Sequence, residues 1–260
     1  MTEQRDPFEP ETKPFLDHLE DLRWAIIKVV ATLTATTTLC LFYIHELLEI
    51  FYWPLRKIGQ TPDQFLRVLN VGDAFTIHLT VGVSAGLILA LPFALYFIGQ
   101  FILPALTLRE RKLITPVFAI GAFLFLGGVV FCYFLLLPQT LQFFLVYANY
   151  LGVRSEWTLE SYLDFVTQML LGFGLAFELP LVIMLLNWFG LVSRTMLREH
   201  RRHAFVFIVV AAACITPTSD LYSLLMLTVP MYLLYEVCII ASWVVEQRKR
   251  RQAEEIIDVQ

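Results

Sequence analysis

Residues 165–189 read FVTQMLLGFGLAFELPLVIMLLNWF, an apolar run in which Glu178 is the only charge. A run of this length without other charges is a membrane-spanning helix, because no small soluble core needs so continuous an apolar surface. A carboxylate in hydrocarbon is costly and persists only with a partner or a task. Pro180 follows two residues later and removes a backbone donor, which weakens the helix there. The chain therefore belongs in a membrane, and something polar happens inside it.

Five further runs share this character, at 24–44, 75–103, 113–137, 204–215 and 221–245. The chain has 260 residues, 58% of them hydrophobic and 16% charged. Soluble domains carry roughly 45–50% apolar and about 25% charged residues. The excess lies in blocks, so it marks spans rather than a greasy core. The expected fold is all-α: a polytopic membrane protein with six transmembrane helices, the fifth and sixth short. The run at 204–215 is well below the ~20 residues that cross a bilayer, and Thr216-Pro217-Thr218-Ser219-Asp220 ends it with a tight polar turn. Gly82, Gly86 and Pro92 allow a kink in the second span. The whole chain, 1–260, is expected to be a single membrane domain. A disordered N-terminus covers 1–14, the six-span core 15–245 and a C-terminal tail 246–260. The N-terminus lacks an apolar stretch followed by a small-residue cleavage site, so the first span is expected to be retained.

Basic residues set the expected orientation. One side holds Arg5, Lys13, Arg23, Lys28, Arg109, Arg111, Lys112, Arg194, Arg198, Arg201, Arg202 and the basic run at 248–251. The other holds only Arg56, Lys57, Arg67 and Arg154. The bias predicts a multi-pass protein of the cytoplasmic (inner) membrane with both termini in the cytoplasm. The outer loops, 45–74 and 138–164, carry aromatic residues suited to an interface, and 63–69 has the apolar spacing of a short amphipathic helix.

Little in the chain points to an enzyme. It has no phosphate-binding glycine loop, no nucleophile elbow and no His-Glu metal signature. Cys40, Cys132, Cys214 and Cys238 lie in apolar segments without a paired spacing, which predicts buried thiols rather than disulfides or a metal. His200 and His203 sit in an arginine-rich loop and read as a solvated face. No cofactor, metal or nucleic acid is expected. Candidate chemistry gathers instead where the first span begins. Leu16, Leu19 and Leu22 fit an amphipathic helix lying on the membrane before it turns in, and Asp17, Glu20 and Asp21 give it an acidic face. In the connection after the second span, Glu110 is the sole acid among Arg109, Arg111 and Lys112.

Several segments together resemble the TatC family, the multispanning core of the twin-arginine protein translocase. They are HLEDLR at 18–23, FILPALTLRERK at 101–112, FCYFLLLP at 131–138, FGLAFELP at 173–180, TPTSD at 216–220 and VPMYLLYE at 229–236. The resemblance implies a curved helical wall with a concave face. It implies signal-peptide binding by Asp21 and Glu110, with Glu20, Arg23, Phe101 and Pro104 beside them. It makes Glu178 an intramembrane polar site for a partner helix, and it matches Pro54, Pro92, Tyr133 and Asp220 to further motif positions. Asp21 stands where glutamate is usual, so Glu20 is a second candidate for that role. One extra residue separates Asp220 from Pro230, and Leu224 replaces a common glutamine. The implied partners are single-span proteins of the TatA and TatB type, twin-arginine signal peptides of folded precursors, the bilayer, and other copies in a receptor oligomer. Export would run on the proton motive force. Arginine grips carboxylate bidentately, as lysine cannot, so paired acids can read Arg-Arg. Two other readings remain: a proton-coupled small-molecule transporter using Glu178, and a structural scaffold whose acids are solvated charges.

Overall fold

The computed structural model describes residues 15–102, 108–188, 190–216 and 220–257. Pro104 lies outside them, as does the N-terminal 1–14. The chain forms two compact units, one up to Gly174 and one from Leu175. Among the described residues, five stretches are long and apolar enough to cross a membrane: Leu19–Phe42, Asp73–Ile102, Val117–Tyr150, Leu159–Asn187 and Leu221–Ile240.

The first unit is built on an antiparallel pair, α1 (Phe15–Phe42) and α4 (Asp73–Ile102). Without a hydrophobic drive between helices in lipid, association depends on close packing and interhelical hydrogen bonds. Both are present. Gly82 and Gly86 are spaced four apart on α4 and face Leu41 and Thr37 of α1. A Cβ at Gly86 would lie 2.6 Å from the Thr37 Cα, so only hydrogen lets the backbones approach. Thr36 Oγ1 then donates to the Gly86 carbonyl at 2.9 Å. The glycines expected to permit a kink therefore serve as a contact face. The neighbouring threonines Thr32, Thr34 and Thr38 donate to carbonyls one turn back on α1, which satisfies their hydroxyls in an apolar setting. Much of the rest of α1 is exposed and apolar, including Trp24, Ile26, Ile27, Val30 and Leu39, as a lipid-facing surface requires.

A short amphipathic helix, α2 (Ile44–Lys57), follows α1 after a break at Tyr43. It buries Ile44, Phe51, Pro54 and Leu55 and exposes Glu46, Glu49, Arg56 and Lys57. The helix expected over 63–69 is only α3 (Pro62–Phe65); Leu66–Arg67 is instead a strand, β1, paired in parallel with β2 (Trp157–Thr158). Tertiary pairing there overrides the helical spacing. Nor does α1 bend after its first turns: it is one helix from Phe15, so the surface-lying entry segment is absent.

Helix α5 (Leu108–Phe131) passes into a π-helical turn at Cys132–Leu136 and then α6 (Leu137–Tyr150). Residues 138–150, expected in a loop, thus extend the third span as helix. Gly99 of α4 admits the Phe118 ring of α5, and Gly174 of α7 (Leu159–Ala176) admits the fully buried Phe125.

The second unit contains α8 (Leu179–Trp188), α9 (Arg194–Glu199), α10 (Arg201–Ile215) and α11 (Leu221–Ile257). Gly190, at φ +75°, takes the left-handed turn after α8, and Ser193 caps α9 by accepting from the Met196 N–H at 3.2 Å. The 15 residues of α10 rise about 22 Å, short of ~30 Å of hydrocarbon, as expected for the fifth span. The sixth differs. Its apolar part is 20 residues long, but the helix runs on unbroken to Ile257, through most of the expected tail.

If Gly86 is a contact residue, Gly86→Val overpacks the α1–α4 seam and costs about 1–3 kcal/mol, lowering Tm in detergent. Gly127→Ala, where an added Cβ meets nothing within 4 Å, leaves Tm unchanged or raises it.

Candidate functional site

Two observations fix which residues share one end of the first unit. Lys28 lies 5.9 Å over the Phe97 ring, Thr36 reaches Gly86, and Leu41 faces Gly82. Each step forward on α1 is thus a step back on α4. Continued toward the start of α1, this register brings Asp21 to the level of the end of α4, where half-buried Phe101 lies. Gly99 beside Phe118 makes α4 and α5 a hairpin, so the first turn of α5, which contains Glu110, belongs to the same end.

Burial separates the neighbouring acids. Asp21, Ala25, Val29, Leu33, Thr36 and Cys40 form the less exposed stripe of α1, at helical spacing. Glu20 is off it and pairs with Arg23 at 3.8 Å, both side chains over 60% exposed. Such a pair contributes little. Arg23 lies two residues from Asp21, so the two do not share a helix face.

Glu178 sits between α7 and α8, where the helix opens for two residues. Pro180 cannot give an N–H to the Ala176 carbonyl, so the ladder breaks one turn ahead of the proline. The Glu178 N–H reaches the Leu175 carbonyl at 3.0 Å and its own carbonyl accepts from Val182 at 3.0 Å. The side chain is only 7% exposed, and neither carboxylate oxygen has a hydrogen-bond partner among the described residues.

The remaining motif positions have structural explanations that spacing alone did not reveal. Pro54 lies inside α2 and leaves the Ile50 carbonyl without its usual donor. Tyr133 Oη donates to that carbonyl at 2.7 Å. Conversely, Pro138 has no N–H for the Phe134 carbonyl, and Lys57 Nζ donates to it at 3.0 Å. Trp53 stacks on Tyr133 with centroids 5.1 Å apart, and Lys57 Nζ lies 5.0 Å over Trp53. Each proline's freed carbonyl is thus capped from the other helix. Tyr162 Oη adds a 2.7 Å bond to the next carbonyl, Phe51. Pro92 lies inside α4, which continues through it. Asp220 is the N-cap of α11: its Oδ1 accepts from the Ser223 N–H at 2.7 Å.

Sequence reasoning missed Glu236. It accepts from Arg201 Nη2 at 2.9 Å and from Tyr232 Oη at 3.0 Å, tying the start of α10 to α11. In the sequence Arg201 counts only toward the basic residues that set the expected orientation. The signal was present in a lone acid within the sixth span, but its partner is 35 residues away.

The described residues hold no cluster of His, Cys, Asp and Glu able to bind a metal. An all-helical fold with five membrane-crossing stretches, proline-broken spans and a buried intramembrane carboxylate defines a multi-pass membrane protein. Comparison with known proteins narrows this. The profile of "Sec-independent protein translocase protein (TatC)" matches residues 17–230. The Akkermansia muciniphila TatC is 45% identical over 76% of this chain, which spans just over half (57%) of that relative. The Koribacter versatilis TatC is 34% identical over 93% of this chain and 90% of its own. A crystal structure of the twin-arginine translocase receptor TatC superposes with a TM-score of 0.77 at 28% identity, covering 86% of this chain and 99% of that one. The chain therefore belongs to the TatC family of Sec-independent protein translocase proteins, a non-enzymatic component of protein translocation.

The proline caps make a sharp prediction. Tyr133→Phe leaves the Ile50 carbonyl without its donor and costs about 1 kcal/mol. In a Pro54→Ala background, where residue 54 regains an N–H, the same change costs less. Thermal unfolding of the four proteins in a double-mutant cycle measures the difference.

Proposed function

We propose that this chain is the signal-peptide receptor of a twin-arginine translocase. Asp21 and Glu110 are its reading groups, and the two guanidinium groups of an Arg-Arg motif bind them through paired hydrogen bonds. The observation that supports this reading is a shared end: α4 packs against both α1 and α5, and the two registers bring Asp21 and the first turn of α5 toward the same end of the unit. Asp21 is preferred to Glu20, because it lies on the packed stripe of α1 and Glu20 is turned to Arg23. Phe101, in the last turn of α4, supports the signal's apolar stretch, and Pro104 is assigned the same role by its motif position alone. Arg23 is included in the site by its motif position. The excess of basic residues at this end supports a cytoplasmic location for it and for both termini, in the cytoplasmic membrane.

Glu178 has a separate role in this proposal. Its buried carboxylate, lacking a hydrogen-bond partner among the described residues, suits a polar group on a single-span partner helix of the TatA or TatB type. A hydrogen bond there would relieve the cost of a polar group in hydrocarbon. Receptor copies associate with these partners, and the proton motive force drives export.

A photoreactive residue at position 21 or 110 is expected to crosslink to a precursor bearing Arg-Arg and not to its Lys-Lys counterpart. Export falls about tenfold or more in Glu110→Ala, the loss of one charge-assisted bond of 1.5–3 kcal/mol. Glu178→Ala impairs export less. Normal export by Glu110→Ala, together with no contact from either position, would refute the reading.

A further inference from the structure

Lys28 is an exposed cation inside the membrane-crossing stretch Leu19–Phe42 of α1. Among the described residues, no carboxylate comes within ion-pair distance of its ammonium. The ammonium instead lies 5.9 Å over the Phe97 ring of α4. A ring face attracts a cation but leaves its charge unneutralised. A lysine at this depth in a span calls for an anion or an escape to the headgroup layer.

Two further polar groups stand beside that ring. The Tyr96 and Phe97 ring centroids are 5.8 Å apart, and Gln100 Nε2 donates to Tyr96 Oη at 2.8 Å. The tyrosine oxygen thus accepts, which leaves its O–H free to donate outward, and the Gln100 carbonyl oxygen is free to accept. Both side chains are exposed. Leu89, Phe93, Tyr96 and Gln100 recur at helical spacing on one exposed face of α4. From Leu89 to Gln100 that face runs about 16 Å at 1.5 Å per residue, half of the ~30 Å of hydrocarbon and so the depth of one leaflet. It is polar at one end and apolar below. Trp24, one turn before Lys28 on α1, is exposed beneath the Arg23 guanidinium, 5.7 Å from its ring. Tryptophan and tyrosine together mark the headgroup level.

We propose that Lys28, Tyr96 and Gln100 bind the headgroup of one anionic phospholipid, of the phosphatidylglycerol class, in the leaflet at the end where α1 begins. The phosphodiester takes the Lys28 ammonium and the Tyr96 O–H as donors. A hydroxyl of the headgroup donates to the Gln100 carbonyl oxygen. One acyl chain lies over Phe93 and Leu89. Charge sets the class: the site holds one cation, which a single phosphate neutralises, and a headgroup that carries its own ammonium would meet Lys28 with like charge. The apolar stripe below the polar group makes the ligand a lipid rather than a soluble anion. The inference needs only that α1 and α4 cross a membrane, so it stands apart from the reading of Asp21 and Glu110.

The test is native mass spectrometry of the full chain, released from detergent micelles and titrated with phosphatidylglycerol, phosphatidylcholine or phosphatidylethanolamine. The expected result is one phosphatidylglycerol bound about tenfold more tightly than either zwitterionic lipid, the worth of one charge-assisted bond. Lys28→Met should remove that preference, and Lys28→Arg should keep it. Tyr96→Phe should weaken phosphatidylglycerol about fivefold, the loss of one neutral hydrogen bond. Should Lys28→Met fail to fold, the removal of one exposed hydroxyl in Tyr96→Phe carries the test. Arg198→Met removes an exposed cation of the second unit and should change nothing. Equal binding of the three lipids, retention of the preference in Lys28→Met or of full affinity in Tyr96→Phe, or an equal loss in Arg198→Met would each overturn the inference. Displacement of the lipid by millimolar inorganic phosphate would overturn it as well, because the site would then be one for soluble anions.

Discussion

The arrangement depends on a single constraint: in and near a bilayer, a backbone carbonyl that loses its helical donor must find another. The chain places prolines inside or beside its helices and so creates such carbonyls repeatedly. At Ile50 and Phe134 the replacements are reciprocal. Tyr133 reaches from the π-helical turn to α2, and Lys57 reaches back from α2 to that turn. These bonds fasten the amphipathic helix after the first span to the far end of the third. The aromatic stack of Trp53 and Tyr133 shields them. A proline and a tyrosine some eighty residues apart thereby become one structural element.

Close backbone packing supplies the other half of the first unit. Gly82 and Gly86 let α4 lie against α1, and the Thr36 hydroxyl adds a hydrogen bond where apolar burial alone gives no preference. This seam does more than hold two helices. Its antiparallel register determines that the acids of the HLEDLR segment stand level with the end of α4 and near the start of α5. A slip of one turn, about 5.4 Å, would separate Asp21 from Phe101. The gathering of these residues at one end is therefore a consequence of packing more than forty ångströms' worth of helix, about 1.5 Å per residue over α1, rather than of local structure at the acids.

Glu178 illustrates how a helix break and a polar group serve each other. Pro180 opens the backbone one turn before itself, and Glu178 lies at that break, nearly enclosed. Two further acids of the second unit are engaged: Asp220 caps α11 and Glu236 joins Arg201 and Tyr232. The contrast supports a partner for Glu178 from outside the chain.

Much of this was legible in the sequence, for definite reasons. Long apolar runs mark spans because hydrocarbon thickness demands them, and the short run at 204–215 announced a short helix. Motif spacing pointed to the family because several segments agreed in order. Other features required the tertiary structure. The helical spacing over 63–69 yielded to a strand pairing with residues ninety positions away, and the span expected to end near residue 137 continues as helix to Tyr150. Periodicity could not show which carbonyls Tyr133 and Lys57 cap, that Gly86 is a contact rather than a kink, or that Arg201 belongs to Glu236. Sequence alone determined where the chain is apolar, where it is basic and which acids it carries, since these are properties of single residues and their neighbours. Only the tertiary structure decided which acid lies on a packed face and which carbonyl each side chain satisfies, because a hydrogen bond depends on distances that bring together residues far apart in the chain.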